Sequence, residues 1–224
     1  MPVPRIRLRR AVSVLALGVL GPALTAAATT PAAAAPGPDQ APTLARAHVQ
    51  VRQAAAPGST ADLAGTYKKL NITMQQQQQT NWCWAASGNT IATWFGYSYS
   101  QNQFCNAAFG RSIDSSCPNS QATLGDVQNA LDWIGITPGS YVTGYLRYST
   151  VQAEVDANRP VETRIQWSSG GGHMHVVYGY DTGNNWVYWG DPWPSNYRYN
   201  WADYWYYVNN DTFSWTHSLY RIGA

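Results

Sequence analysis

The first 66 residues contain no phenylalanine, tyrosine or tryptophan; all 4 Phe, 15 Tyr and 11 Trp follow from Tyr67 onward. A stretch without aromatics, and with few bulky aliphatics beyond Leu24, cannot bury enough apolar surface to order itself. The globular domain is therefore expected over residues 67–224, a length that supports one domain with a sizeable core. Internal repeats are absent too. So is any apolar run able to span a bilayer, because Ala11–Leu24 is broken by Gly21 and Pro22 and falls short of about 20 residues. No stable membrane insertion is expected.

A cationic face is also missing. The formal charge is +2, from 14 basic and 12 acidic residues, but Arg5, Arg7, Arg9 and Arg10 lie ahead of the apolar run. Without those four residues the balance is −2, so no nucleic-acid footprint is present. The basic start, the apolar run and the small residues Thr25–Ala28 together have the form of a secretory signal over residues 1–35. A secreted, extracellular protein with a bacterial-type signal is expected. Residues 36–66, rich in Ala and Pro, read as a disordered linker or pro-segment.

Cysteine is scarce and odd in number, at 3. Cys105 and Cys117 frame a short polar loop and form the natural disulfide in an oxidising compartment. Closing a loop of that size contributes about 3 kcal/mol in the chain-entropy description. Cys83 is then left unpaired, although a pairing that uses Cys83 stays open.

What is present centres on Gln75–Phe95, QQQQQTNWCWAASGNTIATWF. Trp82 and Trp84 flank Cys83 at the start of a helix that Gly96 ends, and Gln77 lies six residues upstream. The unsatisfied N–H groups and dipole of a helix start favour a thiolate there; the structural alternative is a buried cysteine on an apolar helix. Thr123 and Asp126 open a helix over Leu124–Ile134 with a capping-box pattern, and a third helix is expected over about Thr150–Asn158. A short strand at Leu70–Met74 precedes the glutamines. Strands are then expected over Val161–Trp167, His173–Tyr180 and Trp186–Trp189, and the Trp- and Tyr-dense residues 193–222 end in FSWTHSLYRI (213–222), read as a closing strand. Helices first and strands after indicate an α+β fold.

His173 and His175 share one strand face, and a hairpin would bring His173 beside Asp191 at the end of the next strand. A nucleophilic thiol needs a base and a group that orients the base. Gln77, with the Cys83 N–H, can donate to the oxyanion of a tetrahedral intermediate. The same Cys, His and Asp set also suits zinc, but it is too widely spaced for an ordinary structural site; neither a metal nor an organic cofactor is expected. Trp193, Trp201, Trp205 and Trp215 read either as core or as a stacking platform.

QQQTNWCWAA, followed by GGHMHVVYGYD and WGDPW, resembles the bacterial papain-like cysteine peptidases of the avirulence-effector type, over about residues 70–195. The resemblance implies a papain-like fold, with an N-terminal helical half carrying the nucleophile and a C-terminal antiparallel β half. It implies Gln77 as oxyanion donor, Cys83 as nucleophile, His173 as base and Asp191 as its orienter. His173, six residues before Gly179, takes the family's position, which His175 does not. The glutamine run leaves Gln76 and Gln78 as alternative registers. Trp193 resembles the aromatic that shields the His–Asp contact, and Trp84 and Trp193 are also the expected substrate contacts. The implied protein is a monomeric, secreted peptidase acting on protein or peptide substrates. Cell-wall peptide amidases and transglutaminase-type acyl transferases share the triad, and a non-catalytic aromatic-rich binding module is the third reading.

Overall fold

The computed structural model describes residues 66–224. The signal expected over residues 1–35 and nearly all of the linker expected over 36–66 lie outside the described residues.

Helix α1 (Cys83–Trp94) is built for close approach. Ala85, Ala86, Ser87, Gly88 and Ala92 are all buried along it, and a Cβ on Gly88 would sit 2.5 Å from the Phe104 ring. Phe104 belongs to α2 (Gln101–Ala108), which is opened by a reciprocal capping box between Ser100 and Gln103. Helix α3 (Leu124–Ile134) begins with the expected box between Thr123 and Asp126 and stops at Gly135, whose φ of 93° only glycine adopts freely. Helix α4 (Tyr148–Asp156) starts two residues earlier than the expected Thr150.

The sheet contains β1 (Tyr67–Lys69), β2 (Ser140–Thr143), β3 (Val161–Trp167), β4 (Gly172–Asp181), β5 (Trp186–Gly190), β6 (Tyr199–Asp203) and β7 (Phe213–Tyr220), with the five-residue helix α5 (Tyr204–Val208) between the last two. The strand order is β2-β7-β3-β4-β5-β6, with β1 joined to the far end of β4. Every pairing is antiparallel. The fold is α+β, with most of the helices ahead of most of the strands, as expected. No helix among the described residues is long and apolar enough to cross a membrane.

Three local expectations need correcting. Leu70–Met74 is not a strand: Leu70, Ile72 and Met74 do point inward alternately, but the backbone N–H groups of Met74 and Gln75 bond to the hydroxyls of Tyr199 and Thr90 rather than to a neighbouring strand. The polar stretch between Cys105 and Cys117 is partly helical, as α2 carries Cys105. The aromatic tail does not assemble as one platform, because Trp193 and Trp215 are packed inside while Trp205 is exposed.

Glu162, in the middle of β3, is fully buried between Val176 of β4 and Leu219 of β7, and neither carboxyl oxygen has a hydrogen-bond partner. Burial holds this carboxyl well above its ordinary 4.5, and the charge of nearby Cys83 adds to the effect. The folded state therefore keeps the proton, and the contribution of Glu162 to stability is fully present below pH 4.5 and is lost as pH rises toward and through the folded-state value. The slope is on the order of 1.4 kcal/mol per pH unit. Glu162→Gln, isosteric with the neutral acid, is expected to match the parent near pH 4 and to exceed it in denaturant stability at pH 8. A variant less stable than the parent at pH 8 would contradict the account.

Candidate active site

The glutamine run is fixed by residues far along the chain. Gln101 of α2 donates to the side chain of Gln75 (3.1 Å) and to the Gln76 carbonyl (2.8 Å), and its own oxygen accepts from the Gln78 N–H (3.0 Å). The Gln77 N–H bonds to the Pro192 carbonyl, beside Asp191. Of the five glutamines only Gln77 is buried. Its amide nitrogen donates to the carbonyls of Gln79 and Thr80, both at 2.9 Å, so both amide hydrogens brace the turn that leads into α1. The amide oxygen is buried without a partner.

That turn delivers Cys83 as the first residue of α1. The two flanking tryptophans anchor it from either side: the Trp82 indole donates to Pro118 O (3.1 Å) and the Trp84 indole to Ser120 O (3.0 Å). The receiving loop follows Cys117, which is disulfide-bonded to Cys105, and leaves Cys83 as the free thiol among the described residues. Unlike α2 and α3, α1 has no side-chain cap, and unlike α3 it has no acidic residue in its first turn. Its leading N–H groups are therefore not answered by a neighbouring side chain.

From the sheet, β4 supplies His173 and β5 runs antiparallel to it, ending immediately before Asp191. His173 Nε2 lies 2.7 Å from Asp191 Oδ1, and the imidazole faces the cleft that Cys83 also lines. Trp167 stacks on the His173 ring and Trp193 meets it edge-on, with centroids at 5.9 and 6.0 Å. Burial by itself would lower the His173 pKa. The charge and hydrogen bond of Asp191, with a smaller contribution from Cys83, outweigh it and raise His173 to about 10. Asp191 moves the opposite way: burial would raise it, but the charges and hydrogen bonds of His173 and His175 hold it well below its ordinary value.

The Asp191 carboxylate is held on all sides. Oδ1 also accepts from the Trp193 N–H and Oδ2 from the Asn196 amide, both at 2.8 Å. His175 Nε2 stands 3.4 Å from Oδ2. Behind it, His175 Nδ1 contacts Tyr207 Oη at 3.2 Å, and that hydroxyl meets Thr163 Oγ1 at 2.7 Å. All four groups of this relay are fully buried, and burial lowers the His175 pKa, keeping it neutral. The Tyr207 hydroxyl thus sits between Thr163 Oγ1 and His175 Nδ1, while His175 Nε2, although 3.4 Å from Oδ2, makes no hydrogen bond. Tyr207, Thr163 and Asn196 carried no sequence signal; tertiary contact alone recruits them.

His173, His175 and Asp191 are also the one group of metal-capable side chains found among the described residues, their donor atoms lying within 4.8 Å of one another. The 2.7 Å His173–Asp191 separation is that of a donor and acceptor sharing a proton. Two ligands of a tetrahedral zinc, each about 2.0–2.1 Å from the metal, stand roughly 3.3 Å apart.

Cys83 and His173 line an open cleft whose wall includes Gly172, Met174, Arg164 and Asn81. Trp84 borders the cleft, but its side chain is packed against Phe104 and Phe109 with 1% of its surface exposed. Trp193 is likewise buried against His173. Both indoles, the expected substrate contacts, are thus buried, with Trp84 at the cleft wall and Trp193 against the His173 ring.

A family model described as papain-like cysteine protease AvrRpt2 matches residues 66–209. Among solved structures, the peptidase domain of Streptococcus ComA, a bi-functional ABC transporter involved in a quorum sensing pathway, is similar with a TM-score of 0.49 and 19% identity, covering 66% of this chain and 97% of that one. No curated protein matches the chain.

Proposed function

The chain belongs to the papain-like cysteine protease family, and from that premise we propose a secreted peptidase in which Cys83, His173 and Asp191 act together. The observation that carries this reading is the His173 imidazole, bonded to Asp191 at 2.7 Å in the cleft that Cys83 also lines. The thiolate of Cys83 attacks the substrate carbonyl carbon. The resulting oxyanion is met by the Cys83 N–H at the uncapped start of α1, with the Gln77 amide as second donor once it releases one turn carbonyl. Collapse of the intermediate breaks the C–N bond, and His173 gives its proton to the leaving amine. Water then loses a proton to His173 and attacks the thioester, releasing the acid and restoring the thiol.

Three measurements test the proposal. Iodoacetamide is expected to alkylate Cys83 at pH 6 at least tenfold faster than a simple thiol, which is almost entirely protonated there. Cys105 and Cys117 are expected to stay unlabelled until reduced. Casein, a muropeptide and an amine acceptor assayed side by side decide the acyl group, and activity confined to the latter two would replace the peptidase reading with amidase or acyl transferase. Secretion is tested by N-terminal sequencing of protein recovered from the medium, where a start near residue 36 is expected.

A further inference from the structure

The cleft beside Cys83 and His173 contains a cation that the protein does not neutralise. Arg164 projects from β3, and a Cβ placed on Gly172 would meet its Nη2 at 2.5 Å, its Cζ at 2.7 Å and its Nε at 3.0 Å. The guanidinium thus lies across the residue that immediately precedes His173. Its own hydrogen bonds go to neutral acceptors: Nη1 to Thr216 Oγ1 (2.9 Å) and Nη2 to Gln166 Oε1 (3.1 Å). Among the described residues Arg164 has no carboxylate partner. Glu154 is engaged by Arg159 and Asp191 by the two histidines, while Glu162 has no hydrogen-bond partner and keeps its proton. No acidic residue lines the cleft. Burial and the Arg164 charge both lower the pKa of neighbouring His217, so that group adds no competing cation.

A guanidinium has five N–H donors in a fork that fits a carboxylate with two parallel bonds. Two hydrogen bonds tether the Arg164 fork, and donors remain for a ligand. We propose that Arg164 makes this peptidase select substrates with an aspartate or glutamate side chain close to the scissile bond. The inference rests on Cys83 and His173 being the reacting pair, since that pair gives the cleft its meaning. The remaining features follow from the position: Gly172 leaves room for the guanidinium to lie flat, and Thr216 and Gln166 fix it without quenching its charge.

The test uses the full chain and its Cys83→Ala form on a peptide mixture, with cut sites read by mass spectrometry. Matched peptides carrying Glu or Gln at the favoured position then give a ratio of kcat/KM. The expected ratio is roughly tenfold or more in favour of Glu, falling as salt is raised because the cleft is open to solvent. Arg164→Gln is expected to bring the ratio to about one, and Arg164→Glu to turn the preference toward lysine. The parent's own ratio and its salt dependence do not depend on either variant folding. Cys83-dependent cleavage of Glu and Gln peptides at equal rates overturns the acidic preference and leaves the peptidase reading standing. Absence of any Cys83-dependent cleavage overturns both.

Discussion

Replacing Cys83 with serine is expected to lower kcat/KM by roughly 10⁴-fold or more, close to the residual rate of Cys83→Ala. The reason lies in His173. A serine hydroxyl, far less acidic and less nucleophilic than a thiol, must lose its proton to a neutral base as it attacks. With His173 raised to about 10, only about one molecule in a thousand holds it neutral at pH 7. Asp191 contributes more to that elevation than Cys83 does, so the imidazole stays protonated after the sulfur is removed. The serine variant therefore lacks both a competent nucleophile and a competent base. Steady-state kinetics on one peptide for the parent, serine and alanine forms checks this, with near-UV circular dichroism to confirm an unchanged fold. A serine enzyme within about a hundredfold of the parent would show that His173 is neutral at rest.

How far such a site can be read from sequence depends on whether each signal is local. The capping box of Thr123 and Asp126, the run of small residues after Cys83 and the Gly-bounded strands of His173 and Trp186 are local, and the structure places those elements within one or two residues of expectation. The hairpin that joins β4 to β5 brings His173 to Asp191 for the same reason, as antiparallel neighbours meet at opposite ends of their strands. Helix α2 was missed although its own box, Ser100 with Gln103, was in plain view. Its core-facing side includes Gln101 and Asn106, which periodicity of apolar residues does not detect.

Other parts are set by partners distant in the chain. The register of the glutamines depends on Gln101 and Asn89, which bond to Gln75 from elements that follow it; five identical residues have no internal means of choosing one. Within the Trp and Tyr tail the closing strand at FSWTHSLYRI is legible and matches β7, but the dense aromatics ahead of it lack a clear period. The structure distributes the tail's aromatics between β6, α5, β7 and the rings around His175. Two histidines on one strand face were legible, but their different roles were not. His173 has Cys83 as a neighbour, whereas His175 is enclosed by Trp189, Tyr207 and Phe213.

Asp191→Asn is expected to keep the fold and lose most of the activity at alkaline pH, by roughly 10²–10⁴-fold at pH 8. The substitution preserves shape: an asparagine oxygen can still accept from His173 and from the Trp193 N–H. Its new amide hydrogens face the Asn196 side chain, whose own oxygen is buried without a partner and can accept them after rotation. What disappears is charge. Burial lowers the His173 pKa, and the Asp191 charge is the first of the effects that raise it to about 10. Without that charge the imidazole falls toward or below its ordinary 6.5. The alkaline limit of the reactive pair should move down with it, seen as an earlier fall in both peptide hydrolysis and Cys83 alkylation as pH rises. Stability should shift with the same sign. In the parent, His173 favours the folded state below pH 6.5 and this contribution is lost as pH rises through about 10. Asp191 favours it above 3.8 and loses that contribution as pH falls toward its depressed value. The asparagine variant should lose the stabilisation between these limits, while Asp191→Ala should lose it and also strand the Trp193 and Asn196 donors, at about 1–3 kcal/mol for each buried group. An asparagine enzyme whose alkaline limit stays near the parent's would show that hydrogen-bond geometry, and not the Asp191 charge, keeps the imidazole protonated.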